Sequence, residues 1–132
     1  MPLILKLRAG ESLYLNGVMV RNGPSNTELE VLNKVPILRE KDILLKEEAT
    51  SPCKQVYLAV QTLYLEPGSE GIVLSNLSKL IVEILKAAPS TSKLLEKVLE
   101  DVTAKAYFNA LKGARELVEY ELQLVQNAKS TQ

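Results

Sequence analysis

The run LILKLRAGESLYLNGVMVRNG, residues 3–23, decides the fold of the first third of the chain. Leu3, Leu5 and Leu7 alternate with Ile4, Lys6 and Arg8, and Leu13 and Leu15 alternate with Ser12, Tyr14 and Asn16. A two-residue period sends successive side chains to opposite faces, so each run is predicted to be a strand with one apolar face. Arg8-Ala9-Gly10-Glu11 reads as the turn between them. Asn16-Gly17 supplies a two-residue hairpin, because both residues tolerate positive φ. Val18 and Val20 then face one way, Met19 and Arg21 the other.

The pattern continues outward. Asn22-Gly23-Pro24-Ser25-Asn26 is a turn, and Leu29 and Val31 alternate with Glu28 and Glu30 as a fourth strand. Asn33-Lys34 turns again, and Val35 to Arg39 form a short fifth strand. Five short strands at this spacing predict a small antiparallel sheet, sandwich or barrel over residues 1–45.

After Ile43 the period changes to that of a helix. Ser51-Pro52 is an N-cap followed by proline at the first helical position, and Cys53, Val56, Tyr57, Val60, Leu63 and Tyr64 follow at helical spacing. Glu66-Pro67-Gly68 stops that helix. A second apolar stripe runs from Val73 to Ala88 and ends at Pro89. Ser90, Thr91 or Ser92 can cap a third helix carrying Leu94 to Val102. A last helical stretch carries Tyr107 to Val125, continuous with the third through Gly113 on one reading, and the polar tail after Gln126 is expected to fray. The two long stripes are expected to pack on each other and on the sheet. The fold class is therefore α+β: a β unit at 1–45 and a helical unit at 46–132.

Composition narrows the function. The 132 residues carry 16 basic and 16 acidic side chains, so a nucleic-acid site must be a local patch and not a global basic excess. There is one cysteine, which removes any disulfide framework and fits a reducing cytoplasm. The opening residues lack the positive segment of a signal peptide, and no stretch approaches the ~18 apolar residues of a membrane helix. With no His and a single Cys, neither Ser–His nor Cys–His nucleophilic chemistry can be assembled, nor a zinc site drawing on Cys and His. The acidic side chains lie mostly beside lysines on helix faces, as solvated surfaces do. Gly68-Ser69-Glu70-Gly71 lacks the following Lys-Ser/Thr of a phosphate loop and reads as a turn. No enzymatic activity, cofactor or metal is expected.

One string is unusual in being highly charged yet framed by apolar residues: Ile37-Leu38-Arg39-Glu40-Lys41-Asp42-Ile43. With Met1-Pro2-Leu3, Leu15-Asn16-Gly17, Asn22-Gly23, Tyr64-Leu65 and Tyr107-Phe108-Asn109-Ala110-Leu111, it resembles the FlbT family of bacterial flagellar regulators, from Met1 to about Glu121. That resemblance implies post-transcriptional control of flagellin through the 5′ untranslated region of its mRNA, limiting translation or RNA lifetime, alongside a small helical protein, FlaF. A second likeness covers the strands alone. Leu3-Ile4-Leu5-Lys6-Leu7-Arg8-Ala9-Gly10-Glu11 and Leu38-Arg39-Glu40-Lys41-Asp42-Ile43 are similar to segments of the carbon storage regulator (CsrA) family, five-stranded intertwined dimers that bind mRNA leaders. It implies an RNA site built from Lys6, Arg8 and Arg39, with one positive group fewer than that family, whose adjacent arginine pair is Leu7-Arg8 here.

The candidate RNA-binding residues are Lys6, Arg8, Arg39 and Lys41. Each has a plainer alternative. Lys6 and Arg8 can be solvated charges on the polar face of an edge strand. Arg39 can be held in an ion pair at the strand junction. Tyr14 can stack a base or simply be a half-exposed sheet tyrosine. Cys53, on an apolar helix face, is expected to be buried and inert. The leading expectation is a cytoplasmic repressor of translation that binds and destabilises flagellin mRNA. The alternative is a protein-interaction module acting through its helices on flagellin or FlaF without touching RNA. A purely structural assembly factor is a third reading. A sheet this small has exposed edges, which a homodimer would cover.

Overall fold

A computed structural model describes residues 3–130, excluding the side chain of Ser130; the Met1-Pro2 part of the quoted resemblance lies outside it. The chain divides into two compact units, Met1–Ile43 and Leu44–Gln132. The first holds five short strands and the second four helices, so the fold is α+β.

In the first unit β1 (Leu3–Leu7) pairs antiparallel with β4 (Thr27–Val31), and β2 (Ser12–Leu15) pairs antiparallel with both β3 (Val18–Arg21) and β5 (Ile37–Arg39). The two sheets are ordered β1-β4 and β3-β2-β5. The alternation read from sequence sets their facing sides. Leu5, Leu7 and Leu13 are buried together, with Leu15, Val20, Val31 and Ile37 packed around them. The β2–β3 hairpin turns on Asn16 at φ 47° and Gly17 at φ 93°, the left-handed pair that a two-residue turn demands. β5 is shorter than expected. Pro36 has no N–H to give to a ladder, and its carbonyl instead accepts from Asn16 N–H at 2.9 Å.

In the second unit α1 (Pro52–Leu65) begins as the sequence predicts. Ser51 is the N-cap, its hydroxyl accepts from Lys54 N–H, and Pro52 opens the helix. Upstream, Gln61 of α1 ties down Leu44. Its amide oxygen accepts from Leu44 N–H (2.8 Å) and its amide nitrogen donates to the Leu44 carbonyl (3.0 Å). α2 (Glu70–Ala87) starts before Val73, so Glu70 and Gly71 are helical and only Gly68, at φ 94°, belongs to a left-handed turn. α3 spans Ser92–Thr103 and α4 spans Tyr107–Ser130.

Four expectations are corrected here. α3 and α4 are separate helices, broken at Lys105, which takes φ 59°. Lys105 N–H bonds to Val102 C=O and Ala106 N–H to Asp101 C=O, a Schellman closure in a place where glycine is the usual residue. Gly113 lies inside α4, where its missing Cβ makes room for Val98; a Cβ there would sit 3.2 Å from Val98 Cγ2. The apolar stripes of α2 and α3 do not pack chiefly on each other, since α2 packs on α1, and α3 and α1 both pack on α4. Thr91 stands at the N-cap of α3 as one of the three expected positions, but its side chain makes no capping bond, and its buried hydroxyl donates to the Ala88 carbonyl at 2.7 Å. Finally, α4 runs on to Ser130, so the tail after Gln126 is helical as far as it is described.

Candidate nucleic-acid interface

The strand parity that buries Leu5 and Leu7 turns Lys6 and Arg8 outward, and both are exposed. Arg39 closes β5 opposite Leu13 in the register, and a 3-10 turn at Glu40–Asp42 carries Lys41. All four sequence-predicted cations line one cleft of about 860 Å³ in the strand unit. Glu11, Glu28 and Glu40 line it too, so the wall carries four cations against three carboxylates, a slight positive excess.

The four cations are not equivalent. Arg39 Nη1 donates to Glu11 Oε2 at 3.3 Å, and Arg39 Nη2 donates to the Lys6 carbonyl at 3.0 Å. The guanidinium thus ties β5 of one sheet to β1 of the other. Its side chain is 32% exposed and that of Glu11 18%. The ion pair considered for Arg39 exists, but its partner is Glu11, not a neighbouring acid at the junction. Among the described residues Lys6, Arg8 and Lys41 make no ion pair, although Glu28 stands opposite Lys6 in the β1–β4 register.

The rim of the cleft is held by residues that sequence reading took only as turn formers. Asn22 Nδ2 donates to the Arg8 carbonyl at 2.7 Å and the Ser25 carbonyl at 2.9 Å. Asn26 Oδ1 accepts from Ala9 N–H, and Glu11 Oε1 accepts from Arg8 N–H at 2.9 Å. Gly10, at φ 73°, donates its N–H to the Gly23 carbonyl, and Glu11 N–H bonds to the Arg8 carbonyl. Every backbone N–H from Arg8 to Glu11 therefore has an internal acceptor. An anion entering this cleft meets side-chain cations, not a nest of free amides.

No aromatic side chain lines the cleft among the described residues. Tyr14 belongs to the opposite face of β2 from Leu13, so it is not positioned as a stacking platform beside Lys6 and Arg8. The cleft thus offers cationic side chains and no ring on which a base could stack, the residue types that suit a phosphate group better than a base edge.

In the helical unit, Cys53 is buried, and burial followed by hydrogen bonding and charge from Glu121 pushes its thiol up to about 12. It is neutral at physiological pH and offers no nucleophile. A shallow groove of about 430 Å³ lies between α1 and α2, lined by residues that include Leu58, Val73, Lys79 and Leu80. Ile72, Val82 and Leu85 of α2 and Leu122 and Val125 of α4 leave large apolar side chains exposed.

Comparison with known proteins agrees with the first of the two likenesses seen in the sequence. Residues 3–125 match the profile of a family described as Flagellar protein FlbT. The "Probable flagellum biosynthesis repressor protein FlbT" of Caulobacter sp. (strain K31) is 34% identical over 123 residues, covering 92% of this chain and 94% of that protein. The "Flagellum biosynthesis repressor protein FlbT" of Caulobacter vibrioides (strain ATCC 19089 / CIP 103742 / CB 15) is 32% identical over 123 residues, covering 92% of this chain and 87% of that protein. In Bradyrhizobium diazoefficiens the "Probable flagellum biosynthesis repressor protein FlbT 1" is 34% identical over 125 residues, covering 94% of this chain and 85% of that protein. No solved structure gives a significant match.

Proposed function

This chain belongs to the FlbT family of flagellar proteins, and on that premise we propose that it regulates flagellin synthesis post-transcriptionally, by binding the 5′ untranslated region of flagellin mRNA. The relatives' shared name, flagellum biosynthesis repressor, supports negative control of flagellar synthesis. The observation that carries the RNA reading is that Lys6, Arg8, Arg39 and Lys41, drawn from two strands and two turns, line one cleft. Contact there lowers translation or RNA lifetime by occupying the leader. The protein acts by binding and not by catalysis. Its place of action is the cytoplasm, where the transcript is; no helix among the described residues is long and apolar enough to cross a membrane.

The test is fluorescence anisotropy with RNA carrying the flagellin leader from the same genome. At roughly −0.7 per contact on a single strand, contact by three or four of these cations gives a log–log salt slope of about −2 to −3. Arg8→Glu with Lys41→Glu should weaken binding far more than Lys79→Glu with Lys86→Glu, the helical control pair. Equal binding by both double variants would reject the cleft.

A second reading rests on the exposed apolar side chains of α2 and α4. On it the helical unit docks flagellin or FlaF, and RNA contact is not needed. Capture of either protein by a chain that binds no leader RNA would favour it.

A further inference from the structure

Glu11 touches two of the cleft's cationic positions at once. Oε1 accepts the backbone N–H of Arg8 and Oε2 accepts Arg39 Nη1. Arg39 lies on the core-facing side of β5, across from the fully buried Leu13, and its other terminal nitrogen is held by the Lys6 carbonyl. Both terminal nitrogens therefore already donate inside the protein, using two of the five N–H donors of the guanidinium. A phosphate oxygen reaching Arg39 would meet a charge already neutralised by a carboxylate that is itself 18% exposed and held by a second bond. A partly buried ion pair is screened less by salt than an exposed one. Lys6, Arg8 and Lys41 carry no such internal anion among the described residues.

We infer that Glu11 is a positioning residue that withholds Arg39 from RNA, leaving Lys6, Arg8 and Lys41 as the cleft's phosphate contacts. The inference rests on the RNA-binding reading. It assigns Arg39 a different job from the other three cations: Arg39 joins the two sheets and fixes the spacing of the free cations. It also makes Glu11 the residue that sets how many phosphates the cleft neutralises.

The experiment measures the salt dependence of leader-RNA binding for the full chain and four variants. At roughly 0.7 per contact, the parent slope is about −2.1. Arg8→Gln removes one contact, so the slope falls to about −1.4 and affinity drops about fivefold at 0.1 M salt. Arg39→Gln removes no phosphate contact and keeps the parent slope, while affinity falls because the Glu11 carboxylate loses its counter-charge. Glu11→Gln retains an amide oxygen for Arg8 N–H but removes the counter-charge. Arg39 is then released to the RNA, the slope steepens to about −2.8 and binding tightens about fivefold at 0.1 M salt. Glu11→Gln combined with Arg39→Gln leaves the net charge unchanged and returns the slope to the parent value. If Arg39→Gln does not fold by circular dichroism, Arg39→Met replaces it. The inference is overturned if loss of Arg39 flattens the slope as much as loss of Arg8. It is also overturned if Glu11→Gln fails to steepen it. A parent that binds no leader RNA even at low salt removes the RNA reading itself, and this inference with it.

Discussion

Replacing Glu121 by alanine should destabilise the helical unit by about 2–3 kcal/mol, because a carboxylate from α4 serves as part of the N-terminal cap of α1. The first turn of a helix leaves four N–H groups without intrahelical acceptors. Here Ser51 Oγ accepts from Lys54 N–H at 3.3 Å, and Glu121 Oε2 accepts from Cys53 N–H at 3.1 Å. Glu121 Oε1 also accepts the Ser51 hydroxyl proton, which aims the other lone pairs of that oxygen at the helix. Losing the carboxylate removes charge-assisted hydrogen bonds worth roughly 1.5–3 kcal/mol and a favourable charge at the positive end of the α1 dipole worth roughly 0.3–1 kcal/mol. Glu121→Gln keeps one acceptor and should cost about half as much. Urea unfolding followed by far-ultraviolet circular dichroism reads the effect. With a slope of about 2 kcal/mol per molar urea, the midpoint for Glu121→Ala should fall by about 1 M. Ser51→Ala should show strong coupling to it in a double-mutant cycle. A Glu121→Ala midpoint within about 0.2 M of the parent would refute the claim that α4 caps α1.

Three other substitutions give sharp outcomes. Lys105→Gly should stabilise the chain by about 1 kcal/mol, since a non-glycine residue at φ 59° bears a left-handed penalty that glycine does not; an unchanged or lower melting temperature would contradict it. Gly113→Leu should destabilise by at least about 1–3 kcal/mol, because even a Cβ there lies 3.2 Å from Val98 Cγ2; unchanged stability in urea would deny the close α3–α4 contact. The Cys53 thiol ionises at about 12 in the folded chain against 9.0 for a free thiol, so its contribution to stability is intact below 9.0 and is lost as pH rises through that window. Cys53→Ala should therefore flatten the alkaline loss of stability, and the native thiol should resist a disulfide reagent at neutral pH; rapid labelling of folded protein would contradict its burial.

Much of the fold was legible because it rests on local periodicity. The leucines at 3, 5, 7, 13 and 15 fixed the facing sides of both sheets, and Asn16-Gly17 fixed one hairpin. Ser51-Pro52 located the start of α1 to the residue. The break between α3 and α4 was not legible, because the left-handed position is filled by Lys105 and the nearby glycine serves packing. The convergence of Lys6, Arg8 and Arg39 was suggested by resemblance and Lys41 by its place beside Arg39, while the role of Glu11 was hidden. Glu11 and Arg39 are 28 positions apart, and nothing in either local pattern says that they meet. Asn22 and Asn26 looked like turn residues, and they are, but their amides also clamp the loop that carries Arg8. Side-chain to backbone bonds of this kind depend on which loops end up adjacent, which strand parity does not encode.

The most direct test of the central claim is a two-dimensional amide NMR titration of the full 14.6 kDa chain with flagellin-leader RNA. Shifts should concentrate at residues 6–11, 26–28 and 39–41, with amides of α1 to α4 largely unmoved. A length-matched scrambled RNA should perturb the same amides, because the cleft meets phosphates and has no ring to stack on bases. Shifts confined to the helices, or no shift at Lys6, Arg8 and Lys41 while RNA is bound, would contradict it.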